Sequence, residues 1–577
     1  MRWQVTTEAE IRSRWFIAGA VCIGAALRVY GLDFGLPHPQ VRPDEGVLLH
    51  RALSVASGDL NPHFFNYPTL HIYLNALACG LYFLFLLAVG WVDGSSQFVA
   101  RFIYDPSELY LVGRSLSALF GTATIPACAL LAYRLAGHRA AVIAAWLLAV
   151  AFLHVRDSHF LTVDIPATFW GCLAMALLIR SAHTAGTRPR PAWSEAAALG
   201  LAMASKYNLA LFLPALVYAG FSRHPDSARA GSREVAVLLV VAAATFFMAS
   251  PYVLLDAATF AQHLAFEARH FGRGHGEVLG NGWWYHLSVS LRYGLGLPLL
   301  LASLGGLAWI AGQRDRRMTP LLLAVVTYFI VSGAGNTLFV RYALPLIPLL
   351  CAAAAVWLAH VTRETQATGI VLALLLGSIP LSRSVQHVSL LSTVDSRVLA
   401  GQWIESHVPE GETIAMAGTD YVRPALLPTR SWLSGRLIDV RRAGLAGRRL
   451  QIALAASETD RPRYDLLEVR SENPQALRSV VPQHLDSLIE RGARWLLLPE
   501  HALSYADVDE DLRRQAAGLS SVWRLEASNC GADMPVYDRI DAYFLPLSSH
   551  GCITRPGPSY RLLNLTSLSE TLPPSNW

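Results

Sequence analysis

Apolar residues fall along this chain in long blocks as far as about Ser384. Beyond Asp395 the blocks give way to short amphipathic stretches. A helix needs about 20 apolar residues to cross the hydrocarbon core of a bilayer. The blocks predict spans near 15–32, 110–135, 140–155, 165–182, 194–207, 209–222, 234–255, 291–312, 319–338, 342–361 and 367–385, about eleven in all. The first follows Arg2, Arg12 and Arg14. A cleaved signal peptide would share that basic flank, but no A-x-A-like site follows it, so the segment is read as a retained first helix with its N-terminus inside.

Cytoplasmic loops concentrate Lys and Arg. Basic connections occur at Arg134/Arg139, Arg188/Arg190, Arg223/Arg229/Arg233, Arg314/Arg316/Arg317 and Arg363. Placing all of them inside gives a consistent alternation and puts everything after the last span outside. Residues 69–90 are long enough to span, yet a crossing there would turn Arg134 and Arg139 outward. The segment is therefore expected in the outer interface, where Tyr73, Tyr82 and Trp91 suit an aromatic belt. The alternative is a true span with a second crossing within 92–108.

Composition agrees with a multi-pass membrane protein. Hydrophobic residues make up 53% and charged residues 15%, against about 25% charged in soluble domains, and the mean hydropathy is +0.35. An ordinary cytosolic enzyme, a disordered chain and a disulfide miniprotein are excluded. The net charge of +5 comes almost wholly from Arg, with Lys206 the single lysine among 47 basic residues. No basic block resembles a nucleic-acid stripe. Cys22, Cys79, Cys128, Cys172 and Cys351 lie in apolar stretches and read as small hydrophobes.

Three segments share the outer face: 37–74, 154–166 and 250–286. They are rich in His, Asp, Glu, Tyr and Trp, whereas the inner loops are short and basic. Asp44 and Glu45 follow Pro43 and open a helical pattern. They serve either as acids at a helix N-terminus or as functional groups. Asp157 and Asp164 bracket a short turn. Asp164 is expected to cap a helix starting at Pro166, yet Asp164 and His159 lie at the edge of a span, where ionisable groups are costly and often functional. Lys206 ends an apolar segment, either snorkelling or binding a phosphate as a point charge. Arg341 and Tyr342 open another span, where the guanidinium can anchor at the interface or grip a phosphate bidentately. His270, Arg273 and His275 can form an anion or metal site, with no ligand spacing specific enough to name a metal.

The C-terminal part repeats helix then strand. RVLAGQWIESHVPEG reads as a helix ending in a turn, followed by the strand TIAMAG. LDSLIERGARWLLLPE follows the same logic. This predicts an extracytoplasmic α/β domain over 391–577 after a membrane domain over 1–390. It holds no glycine-rich phosphate loop and no nucleophile elbow, which favours acceptor binding or structural support. Cys530 and Cys552 are the only cysteines in it and are expected to pair.

PDE, NPHFFNYPTL, RSLSALFGTATIPACALLAYRLAG, HVRDSHFLTVDIP, ASKYN, SPYVLLD and RYALPLIPLL occur in that order. The ordered set resembles the GT-C superfamily of membrane glycosyltransferases, specifically the family 39, protein-mannosyltransferase-like enzymes that use polyprenyl-phosphate sugars. The likeness covers about the first 420 residues and continues weakly to YDRIDAYFLPL and RPGP. It implies a GT-C-type membrane domain with in-plane juxtamembrane helices after the first span, in the plasma (inner) membrane. It also implies an inverting transfer from a polyprenyl-phosphate sugar to a hydroxyl of a lipid, glycan or protein acceptor.

By that resemblance the catalytic base falls on Asp44, with Glu45 beside it, and the second outer loop adds Asp157 and Asp164. Some members hold a divalent cation, Mg or Mn, between these loops and others do not. Asp44, Asp157 and Asp164 are the residues that would ligate it. Lys206, Arg341 and His270 would meet the donor phosphate. Asp157, His159 and Asp164 would position sugar or acceptor, and Tyr67, Trp283 and Trp284 would pack on the sugar or line the interface. The two aspartate-bearing turns are expected to share one pocket. Rival readings are a transporter and a non-catalytic membrane scaffold whose external domain binds a partner.

Overall fold

The computed structural model describes residues 8–179, 193–363, 366–442, 454, 460–469, 484–531 and 534–566. Arg188 and Arg190 lie outside the described residues. By internal packing the chain forms two units. One comprises residues 1–32, 47–82 and 110–388, and the other residues 33–46, 83–109 and 389–577. The sequence reading assigns 33–46 and 83–109 to the membrane part, whereas their packing groups them with the C-terminal unit.

The first unit is helical. By length and composition, Leu70–Ala88, Ser107–Ala136, Ala228–Ala249 and the run Val371–His407, whose part from Ser389 on belongs to the second unit, can each cross a membrane among the described residues. Gly282–Leu295 and Leu297–Gln313 form a pair bent by 113°. The bend falls at Gly296, whose φ of 78° is the left-handed conformation glycine tolerates, directly before a Leu-Pro start. Shorter apolar helices include His138–Val150, Asp164–Leu178, Thr319–Gly333 and Leu346–Val361.

Small residues let these helices approach closely. A Cβ on Gly306 would strike the Ala353 carbonyl of Leu346–Val361, the close packing that membrane bundles build with small side chains. Helix His138–Val150 breaks at Ala151, so its last carbonyls lack their full set of intrahelical donors, although Ala151 N reaches Leu148 O at 3.3 Å. The fully buried Arg28 supplies further donors. It donates to Leu148 O at 3.1 Å and Ala149 O at 3.0 Å, with His154 Nδ1 3.0 Å away.

The second unit is built on a six-stranded sheet. Its strands are β1 (Thr413–Met416), β2 (Leu427–Pro428), β3 (Arg463–Glu468), β4 (Trp495–Glu500), β5 (Ser521–Leu525) and β6 (Ser559–Asn564). The order is β2-β3-β1-β4-β6-β5. The first four are parallel, and β6 and β5 add antiparallel. Side chains alternate between faces as a pleat requires. Ala415, Leu496, Leu498 and Leu563 pack with Leu488 and Leu512. Ile414, Met416, Leu497 and Leu562 pack with Ala400, Ile404 and Tyr464. Helices thus cover both faces. Helix Ser396–His407 and strands β1 and β4 fall where the sequence reading expects them. Cys530 and Cys552 are joined in a disulfide, with Cα atoms 4.7 Å apart.

Candidate functional site

In the first unit, the motif NPHFFNYPTL meets the segment that follows Ser250. Phe65, Ala204, Phe246 and Val253 form one apolar cluster, joined by Tyr207 and Phe260. Polar contacts fix the register. Asn61 Nδ2 donates to Asp256 Oδ2 at 2.9 Å, Phe65 N to His263 Nδ1 at 3.0 Å and Asn66 Nδ2 to Glu267 Oε1 at 2.6 Å. Tyr207 OH donates to Phe65 O at 3.1 Å. Three stretches far apart in the chain therefore build one face.

Helix Trp193–Ser205 stops at Lys206, where the backbone turns extended before the tight turn Tyr207–Phe212. That break aims the lysine sideways. Its Nζ lies 2.5 Å from Asp164 Oδ1 and 4.8 Å from the centroid of the Tyr342 ring. Lys206 is 12% exposed and Asp164 5%. Helix Asp164–Leu178 begins at Asp164 itself, with Val163 at the cap position. The expected capping of a helix starting at Pro166 is thus corrected: this carboxylate sits in the first turn and faces the lysine.

Around this pair lie further charged and aromatic groups. The carboxyl of Glu267 is held below its usual range. Burial opposes this, but hydrogen bonds from His270 and Asn66 and the charges of His270 and Lys206 outweigh it. His270 Nε2 lies 2.7 Å from His275 Nδ1, and the His275 ring packs on Phe339 at 5.0 Å. Thr337 Oγ1 donates to His270 O at 2.6 Å, which ties this loop to the segment carrying Arg341. Phe339 in turn meets Tyr342 at 5.6 Å and lies beneath the Arg341 guanidinium at 3.9 Å. Lys206, Asp164, Glu267, His270, Arg341 and Tyr342 thus belong to one connected assembly.

The sequence reading does not single out two groups near this assembly. Glu267 shares a helical face with His270 at a spacing of three, a signal visible in AFEARHF. His71 is fully buried, and neither ring nitrogen meets a hydrogen-bond partner among the described residues. It lies within electrostatic reach of Asp164. No sequence signal distinguishes it from a core histidine.

Other expected site residues have different surroundings. Asp157 is 1% exposed, with Arg156 Nε 3.7 Å away. His159 has both ring nitrogens against backbone carbonyls, Val155 O at 2.9 Å and Tyr30 O at 3.0 Å. Tyr67 packs edge-on to Phe64 at 5.9 Å. Trp283 donates from Nε1 to Ile330 O at 2.9 Å, and Trp284 is exposed. Asp44 and Glu45 open the helix Pro43–Ala56 and belong to the second unit. There Glu45 is buried, and the charge of Asp44, after burial itself, raises the pKa of the Tyr421 phenol. Among the described residues, no group of three or more His, Cys, Asp or Glu side chains is placed to hold a metal ion. Asp164 faces Lys206, and Asp157 lies beside Arg156.

Residues 80–223 match the model of the dolichyl-phosphate-mannose-protein mannosyltransferase family. The structure of ArnT from Cupriavidus metallidurans in the apo state is similar at TM-score 0.52 and 15% identity, over 97% of this chain and 99% of that one. The apo oligosaccharyltransferase of Archaeoglobus fulgidus is similar at TM-score 0.50 and 13% identity, over 84% and 69%. The same holds for the oligosaccharyltransferase AglB of that organism in complex with an inhibitory peptide and a dolichol-phosphate, at TM-score 0.50 and 13% identity over 84% and 69%. No curated protein sequence matches the chain.

Proposed function

We propose that this protein transfers a sugar, with inversion, from a polyprenyl-phosphate donor to an acceptor hydroxyl at the extracytoplasmic face of the plasma (inner) membrane. The observation that carries the reading is the buried Lys206–Asp164 pair beneath Tyr342, with Arg341 nearby in the same assembly. Burying the chain's single lysine against a carboxylate costs desolvation, which well-packed apolar residues would avoid. A preorganised cation becomes useful where negative charge develops. The structure of AglB with dolichol-phosphate bears on the donor class by likeness of fold.

In the reaction the acceptor oxygen attacks the anomeric carbon. The bond from that carbon to the phosphate oxygen breaks, and its electron pair leaves with the polyprenyl phosphate. Lys206 and Arg341 stabilise this leaving group. Asp164 holds the ammonium in position, and Glu267, His270 and His71 line the approach. The carboxylate of Asp44 takes the acceptor proton as attack proceeds, with Glu45 beside it. Asp157 and His159 brace the turn that ends at Asp164. No step here is routed through a metal ion. The N-terminus is cytoplasmic, about eleven segments cross, Leu70–Ala88 lies in the outer interface, and the α/β unit is outside.

Purified protein incubated with a panel of polyprenyl-phosphate sugars tests this, scoring donor hydrolysis and transfer. The reading expects turnover of at least one donor and none by Asp44→Asn, which inserts and folds normally. Full activity of Asp44→Asn removes this residue from the base role. Uptake of solute in sealed vesicles without any sugar transfer would make the protein a transporter.

A further inference from the structure

Open α/β sheets bind their ligands in the crevice beyond the carboxyl ends of parallel strands, where neighbouring connections leave in opposite directions. In this sheet that place lies between β1 and β4. Connections from β1 run toward β2 and those from β4 toward β5. Here the strand ends hold a piece of the same chain, the segment Asp33–Gly46 that carries Asp44.

Three anchors fix that segment. Arg42 is fully buried and pairs with Asp541, 499 residues later and 3% exposed. The His38 ring donates from Nε2 to Arg423 O at 2.7 Å and accepts from Gln40 N at 3.1 Å. Phe34, 2% exposed, sets its ring edge-on to Tyr543 at 6.3 Å. The docking platform is itself tied to the strand ends. Arg423 Nη2 donates to Gly418 O at 2.6 Å and Val469 O at 3.2 Å, just past β1 and β3. Gly35, at φ 66°, lets the segment fold back on Val41, where a Cβ would collide.

A buried ion pair is a poor source of stability, because apolar packing does as well at less desolvation cost. What it supplies is a fixed geometry, and Arg42 sits two residues before Asp44 with the rigid Pro43 at the helix start between. We propose that the α/β unit is a positioning device for the base: Asp541, through Arg42, together with the His38 and Phe34 anchors, sets the place of the Asp44 carboxylate. This rests on Asp44 acting as base. Asp541 is on this account a positioning residue that touches neither donor nor acceptor.

The test uses the full-length protein in detergent with an active donor. Asp541→Asn keeps the shape and removes the charge. A misplaced reacting group costs about a hundredfold in rate for a shift near 1 Å. The expected result is a kcat lower by about ten- to a hundredfold, an unchanged KM for the polyprenyl-phosphate sugar, and partial recovery in Asp541→Glu. A structural defect alone would lower the folded fraction and leave kcat per folded molecule intact. Phe34→Leu loosens a second anchor without stranding a charge and should show the same split if Asp541→Asn fails to fold. Wild-type kcat in the folded variants beside an inactive Asp44→Asn overturns the positioning role and leaves the base assignment standing. A fully active Asp44→Asn overturns both.

Discussion

Replacing Lys206 with Met leaves Asp164 as a carboxylate, 5% exposed, without the ammonium 2.5 Å away. Removing one partner of a buried pair costs about 3–5 kcal/mol, mostly from the stranded charge. Asp164→Asn strands the ammonium instead and should cost a similar amount. Combining the two removes both charges, so the double variant should regain most of the lost stability. A coupling energy of several kcal/mol is expected from the cycle. Turnover should behave differently. Loss of one preorganised cation at a developing anion costs about 10²–10³ in kcat, and restored packing cannot return it. The assay is a melting curve in detergent beside donor turnover for the four proteins. The expected pattern is stability that recovers in the double variant while activity does not. A double variant that turns over like the wild type would rule out this role for the pair, as would single variants that melt unchanged.

Acidification should weaken the α/β unit. Burial pushes the imidazole of His501 down to about 3 and that of His38 down to about 4. Between those values and about 6.5 the unfolded chain binds protons that the folded one does not, so stability rises with pH. It is fully present above about 6.5 and falls by about 1.4 kcal/mol per pH unit and per histidine below it. Melting curves between pH 7 and 5 should show the loss, and His501→Asn, which keeps an acceptor for Leu503 N at 3.1 Å, should roughly halve the slope; an unaltered slope contradicts the assignment. Opening the Cys530–Cys552 bridge, which closes a separation of 22 residues, should cost about 3 kcal/mol. Cys552→Ser tests this by melting, and alkylation after reduction should add two labels per chain to this unit.

How much was legible follows from the physics of each feature. Long apolar helices and the helix–strand rhythm after Asp395 are local patterns, and the sequence displays both. Lys206 stands out because every other basic side chain is Arg. Asp164 is a candidate at the edge of a span, but its pairing with a lysine 42 residues later is not legible in the sequence. The start of the helix at Asp164 differs by two residues from the expected one, and that difference turns a capping group into the counter-ion of the lysine. The grouping of 33–46 with the C-terminal unit depends on Arg42 meeting Asp541, a contact across most of the chain that no periodicity encodes. His71 is invisible for another reason. A buried histidine and an approach-lining one differ only in what their nitrogens face.

Binding of a lipid-linked phosphate at Lys206 can be probed directly through the composition of the chain. Lys206 carries the only side-chain amine in the protein. Acetylation of that residue can be followed by mass spectrometry while polyprenyl phosphate is titrated, with the matching polyprenol as the control. Saturable protection by the phosphate and none by the alcohol is expected, with protection lost in an Arg341→Ala background. Equal acetylation with and without polyprenyl phosphate, at concentrations that support transfer, would contradict such binding.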